Sequence, residues 1–382
     1  MYLALYRKYR PRTFDEVIGQ DHIVKTLTNQ ISSDKISHAY LFCGSRGTGK
    51  TSTAKIFAKA INCTNSKNGS PCLECDVCKG LDGTNIDVLE IDAASNNGVD
   101  EIRDLREKVK YPPVVGKYKV YIIDEVHMLS TSAFNALLKT LEEPPAHTVF
   151  ILATTEVHKL PATILSRCLR FDFKLVSLDE LSELLKKVLT SEGVKFDDQS
   201  INIIARAGEG SVRDTLSIAD RCVSFAGDEL TYQKVLSVLG VSERETLISI
   251  SQEILDKKMG GALTKLDQVL SQGKSPLVFS NDMIGYFRDL LLIYTMGEEA
   301  RKIVVVKDDV YQKMTNQATK EHYTEIVKAI EVLSEVEQEL RYSVQPRIVL
   351  ETAIIKIIKS SSLERRVERL ENLVGSLKFP SN

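Results

Sequence analysis

The chain has 382 residues, 43% of them hydrophobic and 27% charged, and its 50 basic and 52 acidic side chains leave a formal net charge of -2. This composition excludes a disordered or collagen-like chain and argues against a protein that coats nucleic acid or membrane by bulk positive charge. No apolar stretch has the length of a secretory signal or a membrane span. We therefore expect a cytoplasmic protein of about two or three domains, with no membrane partner.

The first half of the chain alternates short apolar runs with amphipathic stretches. The runs are rich in β-branched and aromatic residues and mostly lack polar alternation, which predicts strands buried on both faces. Strands are predicted at 39–44, 87–92, 119–124, 148–155 and 169–173, and helices at 50–61, 99–110 and 132–141. Strands that alternate with helices indicate a parallel sheet, so this half is α/β.

After residue 175 the pattern becomes entirely helical. Three short helices, separated by glycines, are predicted at 179–191, 198–207 and 212–225. Helical periodicity then continues to residue 359 and includes one long amphipathic stretch over 320–341. The last residues, 360–382, space their apolar side chains by fours and threes, a heptad pattern of about two repeats. The chain thus combines α/β with all-α parts.

Residues 44–51 match the phosphate-binding pattern G-x-x-x-x-G-K-[ST] in full. The motif follows a predicted strand and opens a predicted helix, so that backbone N–H groups and the helix N-terminus face a nucleotide's phosphates. Lys50 would reach the terminal phosphates, and the Thr51 hydroxyl would ligate Mg²⁺. The predicted nucleotide-binding residues of this P-loop are Gly44, Ser45, Arg46, Gly47, Thr48, Gly49, Lys50, Thr51 and Ser52.

The predicted strand at 119–124 ends in two carboxylates, Asp124 and Glu125. If this strand lies beside the P-loop strand, Asp124 comes near the Mg²⁺ and Glu125 can polarise an attacking water. An acidic residue at a strand end is a weak signal alone. Together with a P-loop, the acidic pair favours a hydrolase over a passive nucleotide binder.

Four of the seven cysteines lie close together in a stretch of Asn, Ser, Gly and Pro that we delimit as residues 62–80. Four thiolates spaced in this way can close a tetrahedral Zn²⁺ site that replaces a hydrophobic core, and such a site is structural. An iron–sulfur cluster and a metal-free loop are the alternatives, although the x3-C-P element of bacterial clusters is missing. The predicted ligands are Cys63, Cys72, Cys75 and Cys78.

In this order, the motifs resemble the AAA+ ATPases and, within them, the gamma/tau family of bacterial DNA polymerase III clamp-loader subunits. The likeness is close over residues 1–225 and looser to about residue 358. The four-cysteine insertion and the sequence SRC at 166–168 separate this family from other AAA+ proteins. The other stretches that carry the resemblance are YRP (9–11), VIGQ (17–20), IDAASNNGVDEIRDL (91–105), YIIDEVHMLS (121–130), FNALLKTLEEPP (134–145), LATTE (152–156) and GSVRD (210–214).

The resemblance implies roles for further residues. Thr155 would be a polar sensor that helps to place the attacking water, and Arg213 would be a second sensor reaching the phosphates of its own subunit. Arg167 would be an arginine finger that contacts the neighbouring subunit's nucleotide, which couples hydrolysis to assembly. The adenine pocket would be lined by Tyr9, Arg10, Pro11, Val17 and Ile18.

The resemblance also implies an architecture and partners. An AAA+ domain at 1–175 would be followed by a three-helix lid at 176–240, a helical collar at 241–359 and an amphipathic tail at 360–382. ATP, Mg²⁺ and structural Zn²⁺ would be the cofactors of an ATPase that works in a pentameric arc joined by the collars. The arc would open a sliding clamp and load it onto primer–template DNA at the replisome, with the polymerase core and the helicase as partners only of a chain with a longer tail.

DNA contacts in such an arc would go to backbone phosphates, and the candidates are the helix start at Asn96, Asn97 and Gly98, together with Lys139. Two alternative functions stay open. A AAA+ branch-migration helicase is disfavoured by the four cysteines and by SRC. A non-hydrolysing scaffold subunit of the same loader should lack Lys50 or the acidic pair, and this chain has both.

Overall fold

The structure is a computed structural model that describes residues 2–80, 86–239, 244–304, 306 and 308–359. One compact unit ends at Val235, and a second begins at Leu236. The predicted tail at 360–382 and the predicted domain boundary at 240–241 lie outside the described residues.

The first unit is built on a five-stranded parallel sheet in the order β2-β3-β4-β1-β5. All five predicted strands are confirmed to within one residue at either end. The expectation of burial on both faces is wrong for β2 and β5, which are partly exposed because each lies at a sheet edge with a single neighbour. The strands are β1 (Ala39–Cys43), β2 (Val88–Asp92), β3 (Lys119–Asp124), β4 (Thr148–Thr154) and β5 (Leu169–Asp172).

Helices cover both faces of this sheet. Successive strand residues point to opposite faces, so in β1 Phe42 joins the core cluster that contains Phe57, and Leu41 joins the one that contains Leu137. The helices are α1 (Leu5–Lys8), α2 (Asp21–Ser32), α3 (Lys50–Asn62), α4 (Asp76–Gly80), α5 (Val99–Val109), α6 (Thr131–Glu142) and α7 (Ala162–Leu165), with 3-10 turns at Phe14–Glu16, Val126–Met128 and Val157–Lys159. The helices predicted at 50–61, 99–110 and 132–141 are therefore confirmed as α3, α5 and α6.

The three helices predicted after the sheet are confirmed, and they lie in the same compact unit as the sheet. The first begins with a capping box, in which the Ser177 hydroxyl accepts the Glu180 N–H and the Glu180 carboxylate accepts the Ser177 N–H. The sequence did not predict the short parallel pair β6 (Lys195–Phe196) and β7 (Glu229–Leu230), because two-residue strands have no readable periodicity. The helices are α8 (Leu178–Ser191), α9 (Asp198–Ala207) and α10 (Val212–Ala226), and α11 (Tyr232–Leu239) follows β7.

The second unit is helical throughout its described residues. Its core surrounds α14, whose Tyr286 and Phe287 are fully buried. The amphipathic stretch predicted over 320–341 divides into a 3-10 turn (Lys320–His322) and two helices that meet at Val336. The apolar face continues through this break, since Leu333, Val336 and Leu340 are all buried, which is why the amphipathic pattern is uninterrupted in the sequence. The helices are α12 (Arg244–Leu255), α13 (Met259–Ser271), α14 (Pro276–Met296), α15 (Asp308–Gln317), α16 (Tyr323–Glu335) and α17 (Glu337–Tyr342), with a 3-10 turn at Gly297–Lys302 and a further helix over residues 346–359, where the described residues end.

None of the described helices combines the length and the apolar character needed to cross a lipid bilayer.

Candidate nucleotide site and four-cysteine centre

The P-loop connects β1 to the start of α3 and depends on three glycines with positive φ. Gly44, Gly47 and Gly49 have φ of 145°, 75° and 101°, which side-chain-bearing residues rarely adopt. Space is also limited at Gly47, where an added Cβ would lie 2.0 Å from the Ser211 hydroxyl at the start of α10. The glycines therefore fix the course of the loop and bring it against the three-helix part.

Lys50 is buried at the first position of α3, with 5% of its surface exposed. Its ammonium group donates to the carbonyl oxygens of Gly44 at 2.7 Å and Ser45 at 2.8 Å. Burial lowers the pKa of Lys50, and the nearby carboxylates of Glu125 and Asp124 oppose that shift. The lysine is thus held within the P-loop, with two carboxylates close enough to act on its charge.

Asp124, at the end of β3, accepts a hydrogen bond of 2.7 Å from the Thr51 hydroxyl to its Oδ2. The sequence-based expectation that β3 lies beside the P-loop strand is wrong, because β4 is inserted between β3 and β1. The contact forms nonetheless, since all these parallel strands end at the same edge of the sheet. The predicted pair of oxygen ligands, Thr51 and Asp124, is therefore brought together.

Glu125 follows Asp124 in a left-handed conformation, with φ 46° and ψ 45°, which is uncommon for a residue other than glycine. Its Oε2 accepts hydrogen bonds from the Thr155 hydroxyl at 3.0 Å and the Thr155 N–H at 3.3 Å. His127 Nδ1 lies 3.4 Å from the same oxygen and 3.0 Å from the Thr154 hydroxyl. Thr155, the residue that follows β4, therefore holds the Glu125 carboxylate in place.

A cavity of about 670 Å³ unites most of the predicted residues. Arg213 borders it, with its guanidinium carbon 5.3 Å from the centre of the Tyr6 ring. The predicted residues that line the cavity are Tyr9, Arg10, Pro11, Val17, Ile18, Arg46, Gly47, Thr48, Gly49, Lys50, Thr51, Ser52, Asp124, Glu125 and Arg213.

Several lining residues were missed by sequence reasoning. Tyr6 gave no signal, because only the fold brings α1 against α10. Lys55 lies one turn after the P-loop motif and pairs with Glu90 of β2 at 2.6 Å, so its helical spacing from Thr51 could have suggested it. The other missed lining residues are Leu3, Arg7, Glu16, Leu184, Val212 and Leu216.

Other predicted site residues lie apart from the cavity lining. Gly44 and Ser45 accept hydrogen bonds from Lys50, and Thr155 donates hydrogen bonds to Glu125, as described above. Arg167 follows α7, where its guanidinium donates to Glu142 Oε1 at 2.9 Å and to the Thr163 carbonyl at 2.8 Å. The candidate DNA contacts lie elsewhere in this unit: Gly98 is the N-cap of α5, preceded by Asn96 and Asn97, and Lys139 is exposed on α6.

The four predicted metal ligands come together after α3, with their sulfur atoms all within 4.8 Å of one another. Cys63 Sγ lies 3.4 Å from that of Cys72 and 3.9 Å from that of Cys75, and the Sγ atoms of Cys72 and Cys78 are 4.0 Å apart. A zinc ion with Zn–S bonds of ~2.3 Å requires sulfur atoms ~3.8 Å apart, so the observed separations fit a tetrahedral site. They are far too long for disulfides.

The four thiols of this cluster lie in different environments. Backbone N–H groups point at the sulfur atoms, and the one on Cys78 lowers the pKa of Cys75 to about 5, whereas burial raises the pKa of Cys78. Burial also raises the pKa of Cys43 to about 11, of Cys168 to about 12 and of Cys222 to about 11. These three isolated thiols are packed side chains, as their apolar sequence surroundings indicate.

The parallel sheet, the P-loop, the acidic pair and the helical lid together define a P-loop ATPase of the AAA+ class. Three family models match the chain: DNA polymerase III delta subunit at residues 19–177, the DNA polymerase III clamp loader subunit ATPase lid domain at 180–228, and DNA polymerase III subunits gamma and tau domain III at 230–373.

Two curated relatives agree with these models. The tau subunit of DNA polymerase III from Bacillus subtilis is 47% identical over 99% of this chain and 69% of its own length. The gamma subunit of DNA polymerase III from Buchnera aphidicola is 35% identical over 94% of this chain and 99% of its own length. The chain therefore belongs to the gamma/tau family of DNA polymerase III clamp-loader subunits, which confirms the resemblance inferred from its motifs and implies ATPase activity.

Among solved structures, RuvB from Thermotoga maritima covers 63% of this chain and 79% of its own, with 19% identity and a TM-score of 0.48. This likeness is too distant to bear on function.

Proposed function

We propose that this chain is the ATP-hydrolysing motor subunit of a clamp loader that opens a sliding clamp and loads it onto primer–template DNA. The observation that carries the proposal is the convergence of Lys50, Thr51, Asp124 and Glu125 on one cavity. A scaffold subunit of the same family would have no use for this set. Family membership provides the setting in which its chemistry acts.

In this proposal, the P-loop binds the phosphates of ATP. Lys50 exchanges its bonds with the loop carbonyls for bonds with phosphate oxygens, and the backbone N–H groups at the start of α3 face the same negative charge. Thr51 and Asp124 offer the paired oxygen ligands that Mg²⁺ prefers. The ion, when bound, neutralises charge that develops on the phosphates.

Glu125 orients the attacking water, and Thr155 controls where the Glu125 carboxylate lies. The two hydrogen bonds from Thr155 fix Oε2, which leaves Oε1 to accept a proton-bearing ligand such as water. A carboxylate so placed acts by geometry and by its negative charge, the usual contribution of a positioned base. Because Thr155 follows β4 directly, a shift at the end of this strand reaches the carboxylate.

The adenine base would be held by five residues that line the cavity: Tyr9, Arg10, Pro11, Val17 and Ile18. Arg213, at the start of α10, would act on the phosphates of the same subunit. Arg167 would leave its pair with Glu142 and reach the nucleotide of a neighbouring subunit. The exposed position of that pair supports such an exchange, since little free energy holds it.

The proposed partners follow from the same family. Other loader subunits would assemble with this chain into a pentameric arc through helices of residues 241–359, and the sliding clamp would bind to the arc. Primer–template DNA would contact the helix start at 96–98 and Lys139 by its backbone phosphates. The polymerase core and the helicase are partners that a longer chain would recruit. The four cysteines would hold a structural zinc ion.

The test compares ATP turnover of wild type and Lys50→Ala with the other loader subunits, as clamp and primed DNA are added in turn. We expect wild-type turnover to rise strongly only when clamp and DNA are both present, and Lys50→Ala to lose nucleotide binding or turnover. Normal turnover by Lys50→Ala would refute the site. Wild-type turnover that is unchanged by the clamp but rises with branched DNA would indicate a branch-migration helicase. The absence of turnover in every mixture would indicate a non-hydrolysing scaffold subunit.

A further inference from the structure

We propose that the four-cysteine module acts on nucleotide affinity through Ser70, which positions one wall of the ATP cavity. Zinc loading then tightens nucleotide binding, and bound nucleotide slows zinc loss. This inference rests on the proposed function, since it takes the cavity to bind ATP and the cysteines to bind zinc.

A direct contact joins the module to the cavity wall. The Ser70 hydroxyl accepts a hydrogen bond of 3.2 Å from the backbone N–H of Phe14. Phe14 is 2% exposed and opens the 3-10 turn Phe14–Glu16. The Val17 N–H in turn donates to the Phe14 carbonyl at 3.1 Å, and Glu16, Val17 and Ile18 line the cavity. Ser70 thus fixes the first residue of a segment that contacts the proposed adenine site.

The turn that carries Ser70 is fixed on its outer side by close packing. Lys67 and Ser70 exchange backbone hydrogen bonds of 3.1 and 2.8 Å. Between them Gly69, at φ 77°, lies against α2, where an added Cβ would stand 2.8 Å from the Thr28 Cα. The tip of the turn therefore has little freedom while its base is held.

The base of the turn is the metal centre itself. The segment that contains the turn is flanked by Cys63 and Cys72, and the sulfur atoms of these two residues lie 3.4 Å apart. Cys63 is also the C-cap of α3, the helix whose first residues carry Lys50 and Thr51. Small metal modules owe much of their stability to the ion, so its loss frees the base of the turn.

Loss of the metal would therefore remove the acceptor from the Phe14 N–H. The segment after Phe14 would then populate several conformations. Nucleotide would bind only to those molecules in which this segment forms the cavity wall as it does in the structure. Because coupling between two binding sites is reciprocal, nucleotide must also stabilise the bound zinc by the same factor.

The first arm of the test measures the Kd of Mg-ADP by calorimetry on the zinc-loaded full chain. Ser70→Ala is expected to weaken binding about fivefold, the effect of one ordinary hydrogen bond, and Ser70→Thr to restore it. Ser66→Ala is the matched control, because the Ser66 hydroxyl bonds to the Ser70 carbonyl within the turn. This control is expected to keep the wild-type Kd, and the zinc content should be the same in all four proteins.

The second arm measures the rate at which zinc passes to a colorimetric chelator, with and without saturating Mg-ADP. Nucleotide is expected to slow zinc loss from wild type and not from Ser70→Ala, a difference that a merely structural serine would not produce. An unchanged Kd in Ser70→Ala, or equal slowing by nucleotide in both proteins, overturns the coupling. A wild-type chain that binds no Mg-ADP refutes the proposed function instead, and one that carries no zinc overturns the inference at its metal site.

Discussion

Replacement of Arg167 by alanine distinguishes two possible roles of this residue, a surface ion pair and an arginine finger, because the expected effects on the hydrolysis rate differ by orders of magnitude. As one half of an ion pair with Glu142, at 2.9 Å and with the two side chains 32% and 49% exposed, Arg167 contributes at most ~1 kcal/mol to the free energy of unfolding. As an arginine finger it would raise the hydrolysis rate by about 10³ to 10⁵. In free energy of activation that is ~4–7 kcal/mol. A single variant can therefore decide between the two roles.

The assay compares three quantities for wild type and Arg167→Ala: the melting temperature, the Kd of Mg-ADP for the isolated chain, and the ATPase rate of the assembled loader with clamp and primed DNA. We expect the first two to be nearly unchanged. The stimulated rate should fall by about 10³ or more, because charge on the transferring phosphoryl group then lacks its partner across the subunit boundary.

Glu142→Gln is the matched control, since it removes the negative charge of Glu142 but leaves Arg167 in place. We expect this variant to keep stimulated hydrolysis, because the guanidinium must leave Glu142 in any case to reach a neighbouring nucleotide. Two results would refute the reasoning. One is a loss of Mg-ADP binding by the isolated Arg167→Ala chain, and the other is a Glu142→Gln defect as large as that of Arg167→Ala.

Three further variants test other parts of the first unit. Glu125→Gln should bind ATP normally yet hydrolyse it about 10² to 10⁴ times more slowly in single-turnover measurements, and normal turnover would contradict its role. Gly47→Ala should lose nucleotide affinity by calorimetry, because its Cβ would collide with the Ser211 hydroxyl, 2.0 Å away. Burial raises the pKa of Asp87, but hydrogen bonds from the backbone N–H groups of residues 114–116 outweigh it and the net pKa is lowered. Asp87→Asn should therefore lower the melting temperature at pH 7, and its deficit should shrink as pH falls below ~4 and disappear below the folded pKa; a deficit independent of pH would contradict this.

The local elements of the first unit could be predicted from the sequence because each leaves a pattern within a few residues. An apolar run such as 119–124 predicts a buried strand, and a glycine-rich turn before Lys50 predicts a phosphate site. The order of the strands could not be predicted in this way. It depends on pairing between segments far apart in the chain, and the insertion of β4 between β1 and β3 leaves no local trace.

The residues of the candidate site likewise divide into those that a local motif predicts and those that only the fold brings together. Residues within motifs, such as Thr51 and Asp124, were predicted because their chemistry is recognisable by type and spacing. The contact of Ser70 with Phe14 joins residues 56 positions apart, and that of Arg167 with Glu142 joins residues 25 positions apart. Neither is part of a spaced motif, so only the folded chain reveals these contacts.

The hydrogen bonds already present at the site determine how it can respond to its surroundings. Lys50 and Thr51 already donate hydrogen bonds to acceptors within the protein. ATP binding therefore exchanges these hydrogen bonds for others and does not satisfy donors that lacked a partner. Net nucleotide affinity is then a small difference between two bonded arrangements. A change in a few hydrogen bonds, at the end of β4 beside Glu125 or at the Phe14 turn, is therefore large enough to alter the affinity. The effects proposed above for a neighbouring subunit and for the four-cysteine module are of this size.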